Sequence, residues 1–300
     1  MKPITTTRNH PIDVRRAGSR FRTDIGWLDG RHSFSFGPHY DPGNVGHGLL
    51  LVSNDDVIRA GSGFDTHPHR DMEIVTWVLS GRLEHKDSEG NRGELYPGLA
   101  QRMSAGTGIW HSEMNPSTSE AVHLVQMWVQ PDTERIRPGY EQLDINSELA
   151  KGGLVPIASG KGHDAAITIH QRDAVLWGGR LRADEAVPAP DARFVHLFVA
   201  EGGLRLEGAG ELFAGDAARL TGAGTRILTG GPDGAEVLIW APPHRRRWRR
   251  RSSGKGCGPF RTARSRPRSR RGTCPFPSRP PFPADRAPQK SAALFCSRGK

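Results

Sequence analysis

Two pairs of side chains, each with i, i+2 spacing, limit what this chain can become. The first is His67 and His69, in Gly61-Ser-Gly-Phe-Asp-Thr-His67-Pro68-His69. The second is His111 and Glu113, in Gly106-Thr-Gly108-Ile-Trp-His111-Ser-Glu113-Met-Asn115. On a β-strand that spacing points both side chains to one face. Two such strands laid side by side aim three imidazoles and one carboxylate at a common point. Neutral imidazole and carboxylate are borderline donors, so the set suits a divalent transition metal: iron, nickel, cobalt, copper, manganese or zinc.

The rest of the chain reads as a frame of short strands. Only 35% of residues are hydrophobic, while 37 glycines and 23 prolines favour turns over long helices. The 32–36 segment alternates, with Ser33 and Ser35 on one face and Phe34 and Phe36 on the other, as a half-buried strand would. The 48–53 segment reads as a buried strand, 74–79 as the apolar continuation or partner of the His-x-His strand, and 87–91 as a hairpin turn. The 121–129 segment is the most strand-like stretch, stopped by Pro131. Residues 131–165 are polar and punctuated by proline and glycine, a connection with one helical turn near 147–150. A second strand series follows, at 166–170, 174–177, 194–199, 217–220, 225–228 and 236–240, without paired histidines. Strands broken every eight to twelve residues or so predict an all-β, double-sheet jelly-roll architecture.

Charge divides the chain sharply. The segment 245–300 holds 15 Arg and 3 Lys against one acid, Asp285, whereas residues 1–244 hold 24 basic and 31 acidic residues. The body is therefore acidic, and the formal +10 belongs to an Arg/Pro-rich tail expected to be disordered. Any nucleic-acid reading rests on that tail alone, around Arg245–Arg251. No run approaches the length of a membrane span. All three cysteines, Cys257, Cys274 and Cys296, lie in the tail, so the body has no disulfide option; with no signal-peptide segment at the amino terminus, a cytoplasmic location is expected.

The two halves of the metal motif resemble the two motifs of the cupin superfamily. Glu73 stands four after His69, Gly81 closes the first half, and Gly108 and Asn115 frame the second. The spacing departs, with seven residues between Glu73 and Gly81 rather than six, and Gly106 stands where many cupins carry proline. The surrounding words narrow the resemblance to the pirin family: 32–37 (HSFSFG), 40–42 (YDP), 53–56 (SNDD), 67–76 (HPHRDMEIVT), 85–91 (HKDSEGN) and 104–113 (SAGTGIWHSE). The resemblance covers roughly residues 8–243.

It implies a bicupin, with a metal-binding barrel over 1–135, a barrel without the metal motif over 136–243 that packs on the first and shields its site, and the tail over 244–300. It implies His67, His69, His111 and Glu113 as metal ligands, with iron foremost, and a quercetin 2,3-dioxygenase activity on a small aromatic substrate and O2. In that reaction the flavonol's 3-hydroxyl and 4-carbonyl approach the metal, and carbon monoxide leaves with a depside. Glu113 is then both ligand and base for the 3-hydroxyl proton. Regular-strand parity would put Glu73 on the face of His67 and His69; the pirin resemblance instead passes the carboxylate role to Glu113. His85 and His123 read as ordinary strand histidines. Met72, Met103, Met114 and Trp110 are candidates to line an aromatic pocket, with core packing the competing role. A monomer is expected. A non-enzymatic metal-binding redox sensor that engages a partner protein is the alternative reading.

Overall fold

A computed structural model describes residues 11–164 and 167–241. The described residues form twenty strands, one 3-10 turn and one helix of four residues, Asn146–Leu149. The expected all-β architecture is borne out. In the amino-terminal half, a seven-stranded sheet runs in the order Gly139–Asp144, Leu99–Ser104, Glu73–Ser80, Val122–Val129, Leu50–Ile58, Leu28–His32, Phe21–Asp24. A four-stranded sheet, in the order Gly63–His69, Ile109–Met114, Leu83–Asp87, Arg92–Leu95, completes the jelly roll. The carboxy-terminal half forms a nine-stranded sheet around two long strands, Phe194–Leu206 and Ile227–Trp240. The ninth strand comes from the far end of the chain: Ile12–Arg15 pairs with Ala217–Thr221, Ile12 opposite Leu220.

Alternation along Glu73–Ser80 shows how the halves join. Val75, Trp77 and Leu79 share one buried core with Val125 and Met127 and with Ile157, Leu176, Phe198, Leu238 and Trp240 of the carboxy-terminal sheet. Each fully buried aliphatic or aromatic side chain there contributes roughly 1.5–3 kcal/mol. Trp77 Nε1 donates to Glu236 Oε1 at 2.7 Å, and Arg180 Nε donates to the other carboxylate oxygen at 2.8 Å. The second half thus packs on the outer face of the seven-stranded sheet, as expected. Its shielding of the interior is indirect, because that sheet stands between.

The intervening residues point inside the first barrel. Val78, Leu99, Leu124, Ile58 and Leu28 form one apolar cluster, and Ile74, Met103, Ala105 and Ile109 another. Between them runs a polar row in register across five strands: Gln101, Thr76, Gln126, Asn54 and His32. A buried polar belt costs free energy unless partners satisfy it. This one faces the histidine strands.

Three local expectations are corrected. The 32–36 segment is not a strand; the strand is Leu28–His32, and beyond it the backbone closes loop bonds, with Ser35 N–H on Asn44 O and Phe36 paired with His39. The glycines and prolines from Gly37 to Gly43 turn the chain before a ladder can form. Residues 131–165 are more than a connection, since Gly139–Asp144 edges the seven-stranded sheet and Val155–Ser159 joins the nine-stranded one. The helical turn in that stretch is present. The expected 166–170 strand shortens to Ile167–Thr168. The 244–300 tail lies outside the described residues.

Candidate metal centre

The two motif strands are neighbours and antiparallel, so His67 sits directly opposite His111, and His69 opposite Ile109. The register slips between His111 and Glu113, which faces Phe64 instead of Asp65. That bulge lies in the His-x-His strand, where an unpaired residue bends the backbone. On its other side the His-x-Glu strand pairs with Leu83–Asp87, His111 opposite Asp87 and Glu113 opposite His85.

The three imidazoles converge. Ring centroids lie 4.3 Å apart for His67 and His111, and 4.9 Å apart for His69 with each of the others. One ligand nitrogen from each falls within 4.8 Å of the others. His67 Nδ1 donates to its own strand at Asp65 O, 2.7 Å away, which leaves Nε2 as the lone-pair nitrogen. Nε2 of His69 and of His111 are buried without a hydrogen-bond partner. Orphaned buried nitrogens are uncommon and call for an explanation. Burial, with the neighbouring imidazoles, holds the His69 pKa down at about 3 and that of His111 at about 2. Both rings are therefore neutral in ordinary buffers, the form that binds metal. These donors fit a divalent transition metal.

Glu113 is 3% exposed and reaches across the barrel to the polar row. Gln126 Nε2 donates to Oε1 at 3.0 Å and to Oε2 at 2.8 Å, and Thr76 Oγ lies 3.5 Å from Oε1. A carboxylate oxygen of Glu113 also groups within 4.8 Å with nitrogens of His111 and His85. His85, read from sequence as an ordinary strand histidine, is thus beside the centre. Its Nδ1 is 3.5 Å from His111 Nδ1 and its Nε2 3.3 Å from Asp87 Oδ2. His123 is indeed remote, paired with Asp55 at 2.6 Å. Below lies Asp56, buried with Oδ1 unpartnered; burial and the nearby Asp55 and Glu113 push its pKa well above the carboxylate range.

Glu73 departs from strand parity. The His-x-His strand ends at His69, Asp71 turns with φ of 46°, and Glu73 opens a strand of the other sheet. It faces the carboxy-terminal half; Oε2 accepts from Ser104 Oγ of the neighbouring strand at 2.9 Å and from His170 N–H of the carboxy-terminal half at 3.0 Å.

The aromatic residues at the site were not foreseen. Trp128 meets His69 edge-on at 4.9 Å, and Phe36 meets Trp128 at 5.6 Å. Met72 and Trp128 pack, partly buried, against the Ile74 cluster that contains Met103. Of the four residues proposed from sequence, Met72 packs against that cluster, and Met103 is core. Met114 packs against Gly63, and Trp110 alternates outward with 53% exposure. The overlooked signals were a lone glutamine inside the apolar 122–129 strand and a tryptophan two residues on, on the same face.

Comparisons with known proteins agree with this fold. Residues 14–129 match the Pirin family model, and residues 156–240 match the quercetinase C-terminal cupin domain. A Mycobacterium tuberculosis H37Rv protein provisionally named a quercetin 2,3-dioxygenase is 60% identical over 230 residues, covering 76% of this chain and 94% of that one. The Escherichia coli K12 quercetin 2,3-dioxygenase is 47% identical over 174 residues, 58% of this chain and 74% of its own length. The crystal structure of the bacterial pirin YhhW of Escherichia coli in complex with nickel(II) superposes with a TM-score of 0.71 at 39% identity, covering 77% of this chain and 99% of that one. The chain belongs to the pirin family.

Proposed function

We propose that this protein is a metal-dependent dioxygenase of the quercetin 2,3-dioxygenase type, acting on a flavonol or a similar enol-bearing aromatic with O2. The observation that carries the proposal is the convergence of His67, His69 and His111, with Glu113 beside His111 and with Trp128, backed by Phe36, against His69. His67, His69, His111 and Glu113 would hold one divalent metal. When bound, it supplies Lewis-acid stabilisation of the substrate oxyanion and access to O2 chemistry. The chain's own residues do the rest. Glu113 accepts the proton of the acidic hydroxyl, while Gln126 and Thr76 keep its oxygens in place. Trp128 and Phe36 offer apolar faces to a flat ring and keep water from the reacting carbon.

The metal-bearing barrel, expected over 1–135, is proposed to run on through Asp144, whose strand edges its seven-stranded sheet, and the metal-free companion, expected over 136–243, to follow it and to take in the Ile12–Arg15 strand. No helix among the described residues is long and apolar enough to cross a membrane; a cytoplasmic location belongs to the same proposal. The test is direct. Protein loaded in turn with iron, nickel, cobalt, copper or manganese and incubated with quercetin is expected to bleach the flavonol absorbance and release carbon monoxide. Turnover by none of them would overturn the reading and leave a metal-binding regulatory role. Undiminished turnover by Glu113→Gln would remove the base assignment.

A further inference from the structure

The Gln126 amide is fixed in one sense, and the residue that fixes it packs against His69. An amide side chain can rotate by half a turn and exchange its oxygen and nitrogen at almost no cost in shape. Here the exchange is blocked electrostatically. Gln126 Oε1 accepts the indole N–H of Trp128 at 3.0 Å, while Nε2 donates to both oxygens of Glu113. The flipped amide would set its oxygen against the carboxylate oxygens and its N–H groups against the indole N–H. Both contacts would then be repulsive, in a buried region where unpaired polar groups cost about 1–3 kcal/mol each.

The strand supplies this arrangement by itself. Gln126 and Trp128 are two apart on Val122–Val129, so both project into the barrel from the same face. Thr76 and Asn54 flank Gln126 in register, completing a polar row that leaves the amide little room. The same indole meets His69 edge-on, at 82° and 4.9 Å, and is braced from outside by Phe36. One side chain therefore touches an imidazole of the centre through its ring and the carboxylate of the centre through an amide.

We infer that Trp128 and Gln126 act together as a positioning device for Glu113: Trp128 sets the sense of the Gln126 amide, and Gln126 sets the plane and donor environment of the carboxylate offered to the metal. The inference rests on the metal-centre reading but not on the dioxygenase reading. Both residues are positioning residues, acting through Glu113.

The experiment is a double-mutant cycle on Co(II) binding to the full chain, read by chelator competition and by the visible ligand-field spectrum, without any turnover assay. Trp128→Phe keeps the ring packed on His69 and deletes only the N–H. Gln126→Met keeps the volume and deletes the amide. Gln126→Met is expected to lose about 10–100-fold in Co(II) affinity and to alter the Co(II) spectrum. Trp128→Phe is expected to lose less, roughly 3–10-fold, with a spectral change of the same kind. The double variant is expected to match Gln126→Met alone, because the indole N–H acts only through the amide. Circular dichroism confirms that each variant is folded. Additive losses, or a Trp128→Phe protein with wild-type affinity and spectrum, would overturn the inference while leaving the centre intact. Failure of the unmodified protein to bind Co(II) would sink the metal centre as well.

Discussion

Acidification of the metal-free protein should expose the neutral histidine pair directly. His69 and His111 have ordinary pKa values of 6.5 in an unfolded chain and are held at about 3 and about 2 in the folded one. Between those limits the unfolded state binds protons that the folded state refuses. Stability from these two groups is therefore fully present above pH 6.5 and falls as pH falls towards 3. At about pH 4.5 each unfolded imidazole gains two pH units of protonation free energy, about 2.7 kcal/mol. The two together amount to about 5 kcal/mol, as an upper bound. Domains of this kind are stable by only about 5–15 kcal/mol, so the loss is large. The assay is urea unfolding at about pH 7 and about pH 4.5, for the metal-stripped protein and for a His69→Gln/His111→Gln variant. Asp56, whose raised pKa acts in the opposite direction, is present in both proteins and cancels. The unmodified protein should lose several kcal/mol more than the variant between the two pH values. A difference below about 1 kcal/mol would refute the claim that these rings are kept neutral by the fold.

Three further outcomes follow from particular contacts. A Cβ added at Gly63 would clash with the Glu113 carbonyl oxygen, so Gly63→Ala should displace the strand carrying the carboxylate, lowering both the melting temperature and metal affinity in chelator competition. Glu73→Gln should leave metal affinity unchanged but destabilise the protein by roughly 1–3 kcal/mol in denaturant unfolding, because Glu73 bonds Ser104 and His170 rather than the centre. Trp110→Ala should change stability by less than about 0.5 kcal/mol and leave flavonol KM alone, whereas Phe36→Ala should raise KM in the quercetin assay.

Much of this site was legible in one dimension. A strand has a side-chain period of two, so His67 with His69 and His111 with Glu113 had to share faces, and their chemistry named a divalent metal before any fold was known. The all-β architecture followed from the same alternation and from glycine- and proline-rich turns. The split between an acidic body and a basic tail is likewise a property of composition alone. Parity is silent, however, about which sheet a strand joins and where a register slips. Glu73 shows the first failure: a turn at Asp71 moves it to the opposite sheet, facing the carboxy-terminal half. The bulge that sets Glu113 opposite Phe64 shows the second. Gln126 and Trp128, Phe36, and His85 come from three separated segments, and only closure of the two sheets brings them around three imidazoles. The sequence by itself determined which atoms can bind a metal and that they lie on strands. The tertiary structure alone decided which groups hold those atoms in place, because such contacts depend on strand pairing between residues far apart in the chain.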